Sequence, residues 1–301
     1  MDACGQAVRA PRSVLRAAVV CLLAGGHLMI EDVPGVGKTV LAKSLAVAAG
    51  CDFSRLQCTA DLLPADVTGV TVWDQHKAAF LFRPGPIFAN LVLADEINRA
   101  SPKTQSALLE CMEEGQVTVD GETRILPQPF MVIATQNPVE YEGTFPLPEA
   151  QLDRFGLRIA IGYPPPGQES AMLLDPTSRD PVAGVPTVAG PAQLLAAREA
   201  ADRVHVEPAL ARYVVEVVDA TRRDPRLDLG ASPRAGLGLV RAARALAVLD
   251  GRAYLLPEDV KQLALMALCH RIVLTAEARA RGYTPEEVVA DALTRVPVPL
   301  A

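Results

Sequence analysis

The sequence predicts an α/β fold, with a mostly parallel sheet covered by helices on both faces and a smaller domain that is all helical. Continuous apolar runs, typical of strands buried on both faces, alternate with helical patterns in the first half of the chain. A proline-rich stretch at 162–191 then leads into apolar residues at helical spacing. The 301 residues are therefore expected to form an αβα domain at 1–162, a connector at 163–192 and a helical domain at 193–301.

In the first domain, short apolar segments predict strands and longer periodic segments predict helices. The strands are expected at 27–31, 52–58, 90–96 and 130–135, and the helices at 13–24, 40–49 and 103–114. The last of these helices has clear end signals, with Ser101 as N-cap, Pro102 in the first turn and Gly115 as a left-handed C-cap.

Two hairpins are expected to interrupt this alternation. The segment at 69–85 has strand-like ends around a polar centre, and the segment at 116–126 alternates apolar and polar residues around Asp120-Gly121, a strong turn signal. Neither hairpin is needed to build a nucleotide site. Decoration and a working surface for substrates are equally open interpretations.

The second domain is predicted from apolar residues that recur every three to four positions. Helices are expected at 208–222, 236–249 and 257–273, with a polar break at 219–230 between the first two. The connector before them is expected to hold one short helix at 169–174.

Composition limits the classes of function. Half of the residues are hydrophobic and the net charge is −6, so a sizeable core is available and disorder is not expected for most of the chain. The chain up to residue 192 has 14 basic and 21 acidic residues, and the remainder has 15 and 14. Neither half carries the basic excess typical of a nucleic-acid groove, and no nucleic-acid partner is expected.

The cysteines and the N-terminal region indicate a cytoplasmic protein. The six cysteines form no C-x-x-C pair and no zinc-ligand spacing, which favours reduced, packed thiols. The four histidines are interpreted as structural or surface residues. Arginines before the apolar run at 17–26 superficially resemble a secretion signal, but the run is too short for a membrane span and leads into a strand. A core helix is therefore the favoured interpretation, and no membrane insertion is expected.

Two segments predict a nucleoside-triphosphate site: DVPGVGKT at 32–39 and LVLADE at 91–96. In the first, glycines let backbone N–H groups close around phosphates at a helix N-terminus. Lys38 would reach the β- and γ-phosphates, and the Thr39 hydroxyl would bind Mg²⁺. In the second, a buried strand delivers Asp95 to the metal and Glu96 to the attacking water. The residues expected to surround the nucleotide are Asp32, Val33, Pro34, Gly35, Val36, Gly37, Lys38, Thr39 and Val40.

One position departs from the general phosphate-loop pattern. Asp32 stands where G-x-x-x-x-G-K-[ST] has its first glycine. A side chain there is expected to crowd the loop, and its negative charge is unfavourable beside phosphate. Gly35 and Gly37 remain to form the tight turn, so the chain is still expected to bind a nucleotide. The affinity for that nucleotide is the quantity that Asp32 puts in question.

The chain also resembles a known family. The segments that carry the resemblance are HLMIEDVPGVGKT, LLPADVTG, RPGPIFANLVLADEINRASPKTQSALLECMEE, QVTVDG, VIATQNPVEYEGTFPLPEAQLDRF and GASPRAG. They are similar to those of the MoxR group of AAA+ ATPases, and the match covers nearly the whole chain. The resemblance implies a P-loop AAA+ fold with a C-terminal helical lid, hydrolysis of ATP with Mg²⁺, and a homo-oligomeric ring, expected to be a hexamer.

The resemblance implies roles for four further residues. Asn137 matches sensor 1, whose amide would bond the γ-phosphate or the attacking water, although asparagine before proline is also a common turn former. Arg154 matches an arginine finger that acts on a neighbouring subunit's nucleotide; on the sequence alone, a surface pair with Asp153 is the simpler interpretation. Arg234 matches sensor 2, with helix capping as a competing explanation of its segment. Arg99 is expected to contact an adjacent subunit.

The function implied by the resemblance is chaperone-like remodelling or maturation of a partner protein. A protein with a von Willebrand factor A domain is a candidate partner. One alternative is a nucleic-acid motor or loader, which would need a basic surface and salt-sensitive binding. Another is a nucleotide-gated binding module with little turnover, which Asp32 would favour. The presence of Lys38, Glu96 and Arg154 favours the hydrolysing enzyme.

Overall fold

The computed structural model describes residues 1–138, 143–174 and 180–299. The helices are α1 (Asp2–Ala7), α2 (Arg12–Leu23), α3 (Lys38–Ala48), α4 (Pro64–Thr68), α5 (Pro102–Glu114), α6 (Glu149–Leu152), α7 (Pro166–Leu174), α8 (Pro191–Asp202), α9 (Pro208–Arg222), α10 (Pro233–Leu249), α11 (Pro257–Leu268), α12 (Ala276–Ala280) and α13 (Pro285–Arg295). None of the helices in these described ranges is long and apolar enough to cross a membrane.

The strands within the described ranges form one central sheet and three small pairs. They are β1 (Leu28–Glu31), β2 (Phe53–Gln57), β3 (Gly69–Asp74), β4 (Ala79–Pro84), β5 (Leu91–Asp95), β6 (Gln116–Val119), β7 (Glu122–Ile125), β8 (Met131–Gln136), β9 (Leu157–Ile159), β10 (Leu227–Leu229) and β11 (Val273–Leu274). The central sheet has the order β2-β5-β8-β1-β9. Its β2–β5, β5–β8 and β8–β1 pairs are all parallel.

The central sheet confirms the predicted α/β class. In β5 and β8, every residue but the last is buried, as expected when helices cover both faces of a parallel sheet. Leu28 of β1 and Leu93 of β5 both lie opposite Ile133 of β8. This register brings the carboxyl ends of the three strands to one edge of the sheet.

The predicted helix ends are largely confirmed by local geometry. The Ser101 hydroxyl accepts a hydrogen bond from the Thr104 amide, and Gly115 closes α5 at φ 63°. The helix expected to begin at residue 40 begins at Lys38 instead, directly after Gly37 at φ 94°. Its first turn therefore includes Thr39.

Both predicted hairpins are present. The first pairs β3 with β4 and the second pairs β6 with β7, all antiparallel. Asp120 and Gly121 have φ values of 52° and 79°, both positive as a type I′ turn requires of its two central residues. At the first hairpin, Trp73 and Phe80 meet edge to face at 5.0 Å and are both exposed.

The chain divides into two compact units. The first consists of Met1–Val19, His27–Leu147 and Ile159–Leu194; the second consists of Val20–Gly26, Pro148–Arg158 and Leu195–Ala301. The domain boundaries expected at residues 162 and 192 stay a prediction.

The second unit is mainly helical, with two differences from the expected elements. The helix expected at 257–273 ends at Leu268, and a 3₁₀ turn (Cys269–Arg271) and β11 follow. The polar break expected at 219–230 contains β10, which pairs with β11 in an antiparallel ribbon. This pairing, distant in sequence, overrides the local helical pattern at the end of α11.

Candidate functional site

The phosphate loop connects β1 to α3. Gly35 and Gly37 have φ values of 85° and 94°, and a Cβ built on either one would meet no atom of the described residues within 4 Å. The left-handed backbone at both positions suits glycine, which has no Cβ to clash in that conformation. The loop ends at the first turn of α3, where backbone N–H groups and the helix dipole favour an anion.

Lys38 connects the loop to the neighbouring strand. Its ammonium group donates to the carbonyl oxygen of Asp32 and to that of Gln136 at 3.2 Å. Gln136 is the last residue of β8. The cation therefore lies between the phosphate loop and the carboxyl edge of the sheet, where a triphosphate would compete for it.

Asp32 does not crowd the loop as its sequence position suggested. Its carboxylate accepts from the Val33 amide at 2.8 Å and from the Ile161 and Gly162 amides, both at 2.7 Å. The residue is buried, and three backbone donors satisfy its charge. Its side chain thus fixes the start of the loop to the segment that follows β9.

Asp95 and Glu96 emerge from β5 at the same edge. The Thr135 hydroxyl donates to Asp95 Oδ1 at 2.7 Å and accepts from the Glu96 amide at 2.8 Å. Asp95 Oδ2 accepts from Arg55 through Nη2 at 2.7 Å and Nε at 3.2 Å. Both oxygens of this expected metal ligand therefore have protein partners.

Glu96 is held in a strained backbone conformation. Its φ and ψ are 58° and 53°, a left-handed geometry that costs a non-glycine residue roughly 1–3 kcal/mol and is often found at functional sites. Its Oε2 accepts from Gln57 Nε2 and from Arg99 Nη1, each at 3.2 Å. Arg99 thus contacts Glu96 of its own chain, and the contact with an adjacent subunit expected of it stays a prediction.

Three residues of this network were not predicted as site residues: Arg55, Gln57 and Thr135. Arg55 and Gln57 alternate with buried Leu56 on β2, and the register puts Gln57 opposite Asp95. Their side chains would be recognisable from sequence only if β2 were already known to neighbour β5. Thr135 could have been found as the one hydroxyl residue of the apolar run that ends in β8.

Asn137 follows β8 by one residue and is buried. Since β8 lies between β5 and β1, Asn137 follows the strand that separates Glu96 from the phosphate loop. Asn137 was selected from the sequence on the assumption that its strand neighbours the strand of Asp95 and Glu96, and the sheet order agrees with that assumption. Its contact with a phosphate or a water stays a prediction.

The donor set suits Mg²⁺. Thr39 is the second residue of α3 and offers a hydroxyl, and Asp95 offers a carboxylate. Magnesium prefers such oxygen ligands and commonly takes one or two carboxylates together with phosphate oxygens. The residues present therefore fit the metal implied by the motifs.

The other two predicted arginines belong to the second unit. Arg154 follows α6 by two residues and is half-buried, and Arg234 is the second residue of α10 and exposed. Both residues have interactions within the described structure. Their roles at a nucleotide stay predictions.

Comparison with known proteins identifies the family. Residues 27–157 match the ATPase family associated with various cellular activities (AAA), and residues 219–292 match the AAA lid domain. The chain is 47% identical over 289 residues to the uncharacterised protein YeaC of Bacillus subtilis, covering 96% of this chain and 90% of that protein. It is 44% identical over 290 residues to the chaperone MoxR1 of Mycobacterium tuberculosis, covering 93% and 76% of the two chains. The chain belongs to the MoxR family of AAA+ ATPases.

A solved structure supports the fold of this MoxR-family chain. A putative ATPase from Cytophaga hutchinsonii superposes with a TM-score of 0.92 at 38% identity, covering 99% of this chain and 93% of that one. The resemblance to the MoxR group and the predicted AAA+ fold with a helical lid are thus confirmed.

Proposed function

We propose that this MoxR-family protein binds ATP with Mg²⁺, hydrolyses it to ADP and phosphate, and uses the reaction to remodel a partner protein. The observation that carries the proposal is that Lys38, Asp95 and Glu96 all lie at one edge of the sheet. Lys38 contacts the end of β8, while Asp95 and Glu96 share the hydroxyl of Thr135 on that same strand. A cation, a metal-ligand carboxylate and a second carboxylate together match the needs of phosphoryl transfer.

Each residue of the site has its own role in the proposed hydrolysis of ATP. The loop amides and Lys38 would hold the β- and γ-phosphates. Mg²⁺ would be held by Thr39 and Asp95 and would neutralise charge on the phosphate oxygens. Glu96 would orient a water and accept its proton as the water oxygen bonds to the γ-phosphorus. The bond from that phosphorus to the β–γ bridging oxygen breaks, releasing ADP.

A ring assembly completes the proposal. In a homo-oligomeric ring, expected to be a hexamer, Arg154 would reach a neighbour's triphosphate and stabilise the charge of the transition state. Arg234 would link the nucleotide to the helical lid. We expect the ring to act in the cytoplasm on a protein client, and a protein with a von Willebrand factor A domain is a candidate. The chaperone name of the Mycobacterium tuberculosis relative supports this class of role.

The Glu96→Gln variant provides the test. It keeps the size of the side chain and removes the base, so turnover should fall roughly 10²–10⁴-fold while the ATP dissociation constant stays within about twofold. Glu110→Gln, which changes an exposed acid on α5, should leave both quantities unchanged. Phosphate release and calorimetric ATP binding measure the two quantities. Equal phosphate release by Glu96→Gln and the wild type would remove Glu96 from the mechanism.

The client can be sought with the same variant. A ring that binds ATP without hydrolysing it should retain its client, so Glu96→Gln with ATP should capture a protein that the Lys38→Ala variant does not. If the captured material is nucleic acid released by salt, the motor or loader class would replace the chaperone class.

A further inference from the structure

Arg271 is a buried arginine that the proposed chemistry does not use. It ends the 3₁₀ turn after α11, and its side chain is only 4% exposed. Burial lowers the pKa of its guanidinium, whereas the Asp153 carboxylate raises it. A buried guanidinium is costly unless its donors are satisfied, so its partners indicate what it does.

The first set of partners flanks Arg154. Arg271 Nη2 donates to the carbonyl oxygen of Asp153 at 3.1 Å and to that of Phe155 at 2.7 Å. Its Nε lies 3.1 Å from Asp153 Oδ1, which is an ion-pair distance although the N–H is not aligned for a hydrogen bond. His270 Nε2 also lies 2.9 Å from the Phe155 carbonyl oxygen. The residues on both sides of Arg154 are therefore fixed by one turn.

The second set of partners lies at the start of α10. The Ser232 hydroxyl donates to Asp153 Oδ2 at 3.2 Å and accepts from the Ala235 amide at 3.1 Å as the N-cap. Arg271 Nη1 lies 3.5 Å from the Ala235 carbonyl oxygen. Arg234 is close enough for its charge to lower the pKa of Arg271. The first turn of α10 is thus connected to the same guanidinium.

We infer that Arg271 is a positioning residue that sets the directions of Arg154 and Arg234 together. It acts through the Asp153 carboxylate, which it shares with the N-cap of α10, and through the Phe155 carbonyl. The inference rests on the proposed function, in which Arg154 and Arg234 act at triphosphates. Because the two arginines share one buried support, a displacement of that support would affect both.

A glycine that lies against Arg271 offers a mild way to displace its guanidinium. A Cβ added at Gly238 would lie 3.1 Å from Nη1 of Arg271, so the guanidinium would have to move by a few tenths of an ångström. Among the described residues, a Cβ added at Gly236, on the same helix, would meet only Val218 and Val214, at 3.5 and 3.9 Å. Alanine is the better helix former at both positions. Gly238→Ala and Gly236→Ala therefore differ mainly in their effect on Arg271.

The Gly238→Ala variant should separate positioning from stability. Its turnover should fall about threefold to tenfold, since small misplacements of catalytic groups are costly. Its thermal midpoint should not fall, and its ATP dissociation constant should stay within about twofold of the wild type. Gly236→Ala should retain wild-type turnover. Equal turnover in the two variants and the wild type would overturn the inference.

A double-mutant cycle tests the route through Arg154. Arg271→Met should lower turnover about tenfold to a hundredfold. In the Arg154→Ala background the same change should have a smaller effect than in the wild type, because only the part that passes through Arg234 remains. Multiplicative losses would overturn the inference. If Arg271→Met does not fold, the same cycle is made with Gly238→Ala.

The two levels of failure can be told apart. If the wild type does not hydrolyse ATP, the proposed function fails and this inference with it. If Arg154→Ala costs no turnover, the proposed role of Arg154 fails and so does this inference. If Arg154→Ala lowers turnover but Gly238→Ala matches Gly236→Ala, only the role of Arg271 is overturned.

Discussion

Arg55 holds the Asp95 carboxylate with two nitrogens, at 2.7 Å through Nη2 and 3.2 Å through Nε. The same guanidinium donates to Gln57 Oε1 at 2.8 Å. Asp95 is the carboxylate expected to bind Mg²⁺, so a protein cation occupies the position at which a metal cation would compete. The side chain of Arg55 is 50% exposed, which makes the pair one that a divalent ion can open.

Removing this competitor should strengthen metal binding. For Arg55→Gln, the Mg²⁺ concentration that half-saturates nucleotide-dependent binding should fall roughly twofold to fivefold, because partly exposed ion pairs are worth about 0.2–1 kcal/mol. Titrating Mg²⁺ against a fluorescent ATP analogue measures the change. Arg83→Gln, an exposed arginine of the first hairpin, controls for loss of positive charge. A half-saturation point that is unchanged or higher in Arg55→Gln would show that Arg55 does not compete with the metal.

Asp32 should stabilise the first unit although it departs from the phosphate-loop pattern. Asp32→Ala removes the acceptor of three backbone N–H groups, of which the Ile161 amide is buried. Hydrogen bonds to charged groups contribute roughly 1.5–3 kcal/mol each and leave a further cost when a donor stays buried. The Val33 and Gly162 amides are only partly buried and can bond to water instead, so the loss reflects mainly the Ile161 amide and the free energy of unfolding should fall by about 2–3 kcal/mol.

Urea denaturation of Asp32→Ala measures this loss, with Asp61→Ala as the control. Asp61 is exposed and its hydrogen bonds, to Thr59 and to its own backbone, are local, so its replacement should move the unfolding midpoint far less than Asp32→Ala does. If Asp32→Ala is as stable as the wild type and binds ATP more tightly, the carboxylate crowds the loop after all. Its bonds to residues 161 and 162 would then be incidental to stability.

The predictable parts of the fold were those with local causes. The glycines of the phosphate loop, the Ser101 cap and the Asp120-Gly121 turn each depend on neighbours within four residues. Backbone sterics and capping act at that range, so the sequence contains the information directly. The apolar runs of β5 and β8 belong to the same class.

Most of the missed contacts join residues distant in sequence. Arg55 meets Asp95 40 residues away, and Asp32 meets Ile161 129 residues away. Each depends on strand order or on the path of a connector, which hydrophobic periodicity does not encode. The same holds for β10, whose partner β11 lies beyond two helices. The sequence was enough to name the four motif residues, Lys38, Thr39, Asp95 and Glu96. It was not enough to name the side chains of Arg55, Gln57 and Thr135, which contact Asp95 or Glu96.

His270 should make the stability of the second unit depend on pH. Burial lowers the pKa of its imidazole to about 3, with the charges of Arg271 and Arg158 acting in the same direction. In the unfolded chain the pKa is about 6.5, so below that pH the unfolded state binds a proton that the folded state does not. The contribution of His270 to the free energy of unfolding is therefore complete above pH 6.5 and declines as the pH falls toward 3.

Between pH 7 and pH 5.5 this single group should reduce the free energy of unfolding by about 1 kcal/mol. His270→Gln can still donate to the Phe155 carbonyl oxygen but does not titrate, so its stability should decline less over this range. His205→Gln, at an exposed histidine beside Glu207, should follow the wild type. Denaturant unfolding at both pH values measures the slopes. If His270→Gln has the wild-type slope, the imidazole is protonated in the folded protein, and the buried, neutral histidine inferred from its surroundings is wrong.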